Sequence, residues 1–90
     1  MGKSISIAAR DGSGSFSGYL AVPASGRGPG VVIGQEIFGV NANMRSIADS
    51  YAEEGYVALV PDLFWRLQPN LELGYSEAEF GQAIGLFQRF

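Results

Sequence analysis

Alternating apolar and polar residues open the chain. In SISIAA (4–9), Ile5 and Ile7 recur at the two-residue period of a strand. RDGSGS (10–15) carries an Asp-Gly turn signal, and FSGYLAVP (16–23) spaces Phe16, Leu20 and Val22 evenly before Pro23 stops it. The pair predicts an antiparallel hairpin. After the loop ASGRGPG (24–30) the alternation disappears. Val31-Val32-Ile33 begins a continuous apolar run, so 31–35 is expected to be a strand covered on both faces.

From Asn41 to Glu54 the period lengthens to that of a helix. Met44, Ile47, Ala48, Tyr51 and Ala52 share one face, Asn41 or Asn43 can cap the start, and Gly55 stands just past the end. YVALVP (56–61) returns to a buried-strand pattern. Residues 31–61 therefore predict strand–helix–strand, with the two strands parallel and the crossover right-handed. DLFWRLQPNLELGY (62–75) has no clear period and is expected to be loop with a short helical turn. Ser76 and Glu79 then have capping-box spacing, and Phe80, Ala83, Ile84, Phe87 and Phe90 form an apolar stripe expected to be core. That stripe reaches Phe90 with no closing glycine, asparagine or basic cluster. The pattern reads as one that stops inside an element.

Composition narrows the classes. Ninety residues make one small domain or a piece of a larger one, and 47% hydrophobic content argues against disorder. The net charge of −3 is scattered, with no basic patch for nucleic acid. No apolar run approaches a membrane span and no signal-peptide pattern opens the chain, so a cytoplasmic protein is the default expectation. Gly2 and Ser6 fit a loose acylation pattern that chance often supplies. There is no cysteine, which excludes disulfides and thiolate metal sites, and no histidine, which removes the commonest general base. Gly34 and Gly39 have phosphate-loop spacing, but Val40 and Asn41 follow where Lys and Ser or Thr are needed. No dinucleotide fingerprint follows a strand either. No cofactor or metal is expected.

The chemistry gathers at strand ends. In an open α/β sheet, ligands bind beyond the carboxyl ends of the parallel strands. Gln35, Glu36 and Ile37 follow the first of these strands, and Pro61 and Asp62 close the second. A turn there can aim backbone N–H groups at a developing oxyanion. Two readings of Glu36 stay open on pattern alone. It faces a reaction site, or it sits near the positive end of the following helix, worth about 0.3–1 kcal/mol. Asp62 reads as the cap of a turn, and Trp65 and Arg66 as pocket-lining or exposed loop residues.

GPGVVIGQEIFGVNANMRSIADSYAEEGYVALVPDLFWR, from about Gly28 to Arg66, resembles the N-terminal part of the dienelactone hydrolase family. QEIFG followed by a helix and then GY-x-A-x-x-PDL is a specific combination, and LFQRF resembles the family's next helix. The resemblance implies the N-terminal part of an α/β-hydrolase fold: an antiparallel hairpin, a βαβ unit in a mainly parallel sheet, then a helix. It implies that 1–90 is a fragment of one such domain, lacking the part that bears the nucleophile. Such a domain runs to roughly 200–250 residues. The complete protein would open a lactone or carboxylic ester with a Cys (or Ser)-His-Asp triad, and the 90 residues alone would be inactive. By position, Ile37 would give an oxyanion-hole N–H, Glu36 would be the buried carboxylate that acts on the nucleophile's ionisation, and Phe38 and Phe87 would contact substrate. Phe80 falls where a basic, substrate-carboxylate-binding residue is expected, so a different ester or lactone stands equally beside dienelactone as the substrate. The implied partner is a small-molecule ester or lactone. The free edge of strand 31–35 would invite self-association, and the alternative is a non-catalytic α/β interaction module docking through that edge.

Overall fold

The computed structural model describes residues 2–90; Met1, the start of the acylation pattern, lies outside the described residues. Strands β1 (Gly2–Ala8) and β2 (Ser15–Ala21) form the expected hairpin, with Gly2 opposite Ala21 and Ala8 opposite Ser15. β3 (Gly30–Val32), α1 (Ala42–Glu53) and β4 (Val57–Pro61) make the βαβ unit, and β3 and β4 run parallel. β4 also pairs antiparallel with β2, giving the sheet order β1-β2-β4-β3.

Local signals set the ends of α1. Asn41, in extended conformation, accepts from the Met44 N–H through its side-chain oxygen. Such a cap contributes about 1 kcal/mol. Gly55 (φ 97°) turns the chain out of the helix, its N–H meeting Ala52 O while the Tyr56 N–H meets Tyr51 O. Met44, Ala48 and Ala52 then bury against Ala21, Ala58 and Val60 of the sheet. Ile47 and Tyr51 flank this contact and stay exposed; Tyr51 meets Tyr56 edge-on at 5.9 Å instead.

β3 departs from expectation. It is shorter than the predicted 31–35 and is not covered on both faces: Val32 is 70% exposed. The reason is its place in the sheet. β3 is an edge strand, so only β4 pairs with it, and α1 covers one face. Val31 and Ile33 point to that face and pack on the core, and alternation leaves Val32 on the other. A run of apolar residues cannot report which of them will lack a neighbour.

The last helix, α2 (Glu77–Arg89), packs on loops, not on the sheet. Ala83 and Leu86 bury against Phe64, Leu71 and Leu73, with Ile37 and Phe38 beside them. Phe80, Phe87 and Phe90, expected in the core, are substantially exposed because the smaller Ala83 and Leu86 occupy the centre of the contact. The segment before α2 contains the expected helical turn, with Leu67 and Gln68 N–H both donating to Phe64 O.

The N-cap arm of the α2 capping box forms, and Glu79 reaches past Ser76 to the Gly74 N–H. Ser76 Oγ accepts from the Glu79 N–H at 3.2 Å and donates to Glu79 Oε1 at 2.8 Å, while Glu79 Oε2 accepts from the Gly74 N–H at 2.6 Å. The Gly74 N–H first, and Ser76 second, hold the Glu79 carboxyl below its ordinary value of 4.5. A carboxyl whose folded value is depressed stabilises the fold above its unfolded value and loses that contribution as pH falls through the folded value. Thermal unfolding of the wild type and Glu79→Gln should therefore differ near neutrality and converge as the pH is taken well below 4.5. A gap that persists at the acid end would contradict the assignment.

Candidate functional site

Beyond β3 the chain crosses the carboxyl ends of both parallel strands. Residues 36–39 form a tight turn in which the Gly39 N–H donates to Glu36 O at 3.1 Å. Gly39 is left-handed (φ 84°) and bridges antiparallel to Glu72, so close that a Cβ there would collide with the Leu71 carbonyl. Only glycine meets both demands. The neighbouring Phe38 O accepts from the Leu73 N–H at 2.9 Å, and Gln35 Oε1 accepts from the Leu63 N–H at 2.7 Å. The loops that follow the two parallel strands are thus stitched together, and the turn is held from both sides.

This turn lines a small cavity of about 150 Å³ with Leu63 and Phe64 after β4 and Phe87 and Phe90 of the α2 end. Glu36, Ile37 and Phe87 therefore come together at this cavity. Among the described residues, none accepts a hydrogen bond from the half-buried Ile37 N–H. Phe38 goes elsewhere: its ring stands edge-on to Tyr75 at 4.6 Å and 6.2 Å from Phe80, outside the cavity. Glu36 itself is exposed, unlike the buried carboxylate implied by the resemblance, because it lies beyond an edge strand with no neighbour on its outer side. Its Oε1 accepts from the Tyr75 hydroxyl at 3.2 Å, while Asn41 serves the first turn of α1. Tyr75 thus links Glu36 to Asn41 at the start of α1.

Sequence pattern missed the environment of Asp62. It is only 2% exposed, its Oδ2 accepts from the Asn70 N–H at 2.7 Å, and its Oδ1 has no partner among the described residues. Asn70, at φ 60°, also accepts from Ser17 Oγ at 2.8 Å, so Asp62 and Asn70 pin the loop 62–70 back onto β2. A Pro-Asp step after a strand announces a turn, but only the folded chain shows the depth of burial. Trp65 and Arg66 line a surface cleft and pack on the hairpin. Trp65 stacks on Phe16 at 5.4 Å, and Arg66 lies 4.3 Å above Trp65 and pairs with Asp11 at 3.3 Å. Roomier clefts exist beside Asp62 and Tyr19 (about 210 Å³) and beneath Trp65 (about 630 Å³). Neither is lined by Glu36 or Ile37, so the smaller cavity is the one formed by the turn after β3.

A parallel pair with a donor-bearing turn at its carboxyl end is an arrangement suited to holding an oxyanion. The sequence profile of the dienelactone hydrolase family matches residues 16–86, from the second hairpin strand into α2. The chain belongs to the dienelactone hydrolase family. Its relatives include an Azospirillum brasilense protein provisionally named a carboxymethylenebutenolidase, 48% identical over 91% of this chain and 36% of that protein. A carboxymethylenebutenolidase of Pseudomonas sp. (strain P51) is 44% identical over 88% of this chain and 34% of its own length. A solved structure from Klebsiella pneumoniae, provisionally described as a dienelactone hydrolase, superposes with a TM-score of 0.62 at 30% identity, covering 77% of this chain and 30% of that one. The chain thus spans about a third of the length of these curated relatives. The hairpin, βαβ unit and α2 are consistent with the N-terminal portion of the family's α/β-hydrolase fold. Among the described residues there is no acidic, histidine or cysteine cluster suited to a metal, and no helix long and apolar enough to cross a membrane.

Proposed function

We propose that this chain is the first part of a longer dienelactone hydrolase-family domain that hydrolyses a lactone or carboxylic ester, the turn 36–39 supplying its oxyanion donor. One observation carries the reading: Ile37, whose N–H has no acceptor among the described residues, lines the same cavity as Glu36 and Phe87. In this scheme a triad nucleophile from beyond residue 90 attacks the ester carbonyl, and the Ile37 N–H meets the developing O⁻. An aligned donor of this kind lowers the barrier by about 2.7–4 kcal/mol. Glu36 faces the attacking group, and Phe87 with Leu63 gives the acyl portion an apolar wall. With neither Cys nor His, the 90 residues hold no triad of their own and are inactive alone. The test is a chimera in which this segment replaces the first third of a full-length family member. Hydrolysis that depends on the Ile37 N–H supports the proposal; a folded chimera without hydrolysis refutes it.

A second reading concerns association, and the uncovered edge favours it. Val32 is 70% exposed on a strand whose outer side has no partner. Such an edge pairs readily with another chain, and an inserted charge is the usual deterrent. The isolated chain should self-associate with rising concentration in sedimentation velocity, and Val32→Lys should shift it towards monomer. A wild type that stays monomeric across the range would end this reading.

A further inference from the structure

We infer that Tyr75 is the positioning residue of Glu36, holding the carboxylate through a relay that begins at the cap of α1. The inference rests on the proposed role of Glu36. Asn41 is buried, and its amide is oriented without ambiguity: Oδ1 accepts from the Met44 N–H at 3.1 Å, so Nδ2 must face the other way. From there Nδ2 donates to Leu73 O at 2.9 Å and to the Tyr75 hydroxyl oxygen at 3.2 Å. With that oxygen accepting a hydrogen bond from Asn41, the hydroxyl's own hydrogen is directed to Glu36 Oε1, 3.2 Å away. Glu36 is an exposed side chain with several rotatable bonds, and Tyr75 is the only hydrogen-bond partner of its carboxylate among the described residues. The ring is held as well, by its edge-on contact with Phe38. Helix cap, aromatic contact and hydroxyl together fix the direction in which the carboxylate points.

Tyr75→Phe tests this directly, since it keeps the ring against Phe38 and removes only the hydroxyl. Tyr75 is 58% exposed, so the substitution leaves the core intact. In the 90-residue chain, three-bond couplings of the Glu36 side chain should report one dominant rotamer in the wild type and an average over the staggered wells in Tyr75→Phe. The Leu73 amide, bonded to Phe38 O, should keep its hydrogen-exchange protection in both. Glu36→Gln, which retains an acceptor oxygen, should keep the single rotamer while Tyr75 is present. Unchanged couplings in Tyr75→Phe, or averaging already in the wild type, would overturn the inference. Loss of Leu73 protection together with the rotamer would reduce Tyr75 to a structural role and overturn it equally. These readouts need no turnover, so they fail or succeed separately from the hydrolytic reading.

Discussion

In a full-length family member carrying this segment, Ile37→Pro is expected to lower kcat by about two to three orders of magnitude while the turn stays folded. The reasoning starts from the turn. Gly39 N–H closes on Glu36 O, which makes Ile37 the second residue of a four-residue turn. Proline is favoured at that place because its ring fixes φ near the value the turn already uses. The substitution therefore removes the N–H while keeping the turn, and it also trims an Ile37 side chain packed beside the α2 contact. Since no described residue accepts from that N–H, the resting fold loses no hydrogen bond. A donor that matters only when charge develops on substrate should appear in kcat more than in KM. Unchanged kcat in a folded variant would remove Ile37 from the oxyanion site.

Gly39→Ala should have the largest effect on the fold of the site. At φ 84° an alanine pays for a left-handed backbone, and its Cβ meets the Leu71 carbonyl, a backbone group that cannot swing aside. Strain of this sort costs on the order of 1–3 kcal/mol before the collision is counted. The collision is relieved only by opening the Gly39–Glu72 bridge and the Leu73-to-Phe38 hydrogen bond beside it. We expect a lower unfolding midpoint and, specifically, faster hydrogen exchange at Leu73. An alanine variant with wild-type stability and protection at Leu73 would show that the turn tolerates the change and is not pinned as described.

What the sequence made legible follows the range of the interaction. Asn41, Gly55, Ser76 and Glu79 act on backbone groups a few residues away, and their helix ends fall within a residue of expectation. The parallel pairing of β3 and β4 followed from the helix between them. Three features were out of reach because distant chain decides them. Val32 is exposed through the absence of a neighbouring strand, Asp62 is buried by a loop that returns to β2, and Phe80 and Phe87 are displaced from the core by Ala83 and Leu86. At the candidate site, Glu36 and Ile37 were marked by their position after a strand and by the family motif. Phe38 shared the motif but not the cavity, since the turn sends its ring towards Tyr75. Tyr75 carried no sequence signal: its link to Glu36 spans a separation that no local pattern encodes.

The most direct measurement is the structure of the chimera trapped as a covalent tetrahedral adduct with an ester-mimicking inhibitor. The account predicts the adduct's oxyanion at about 2.7–3.1 Å from the Ile37 nitrogen, the distance of an aligned donor. An oxyanion held by other donors, with Ile37 N beyond hydrogen-bond reach, would contradict it.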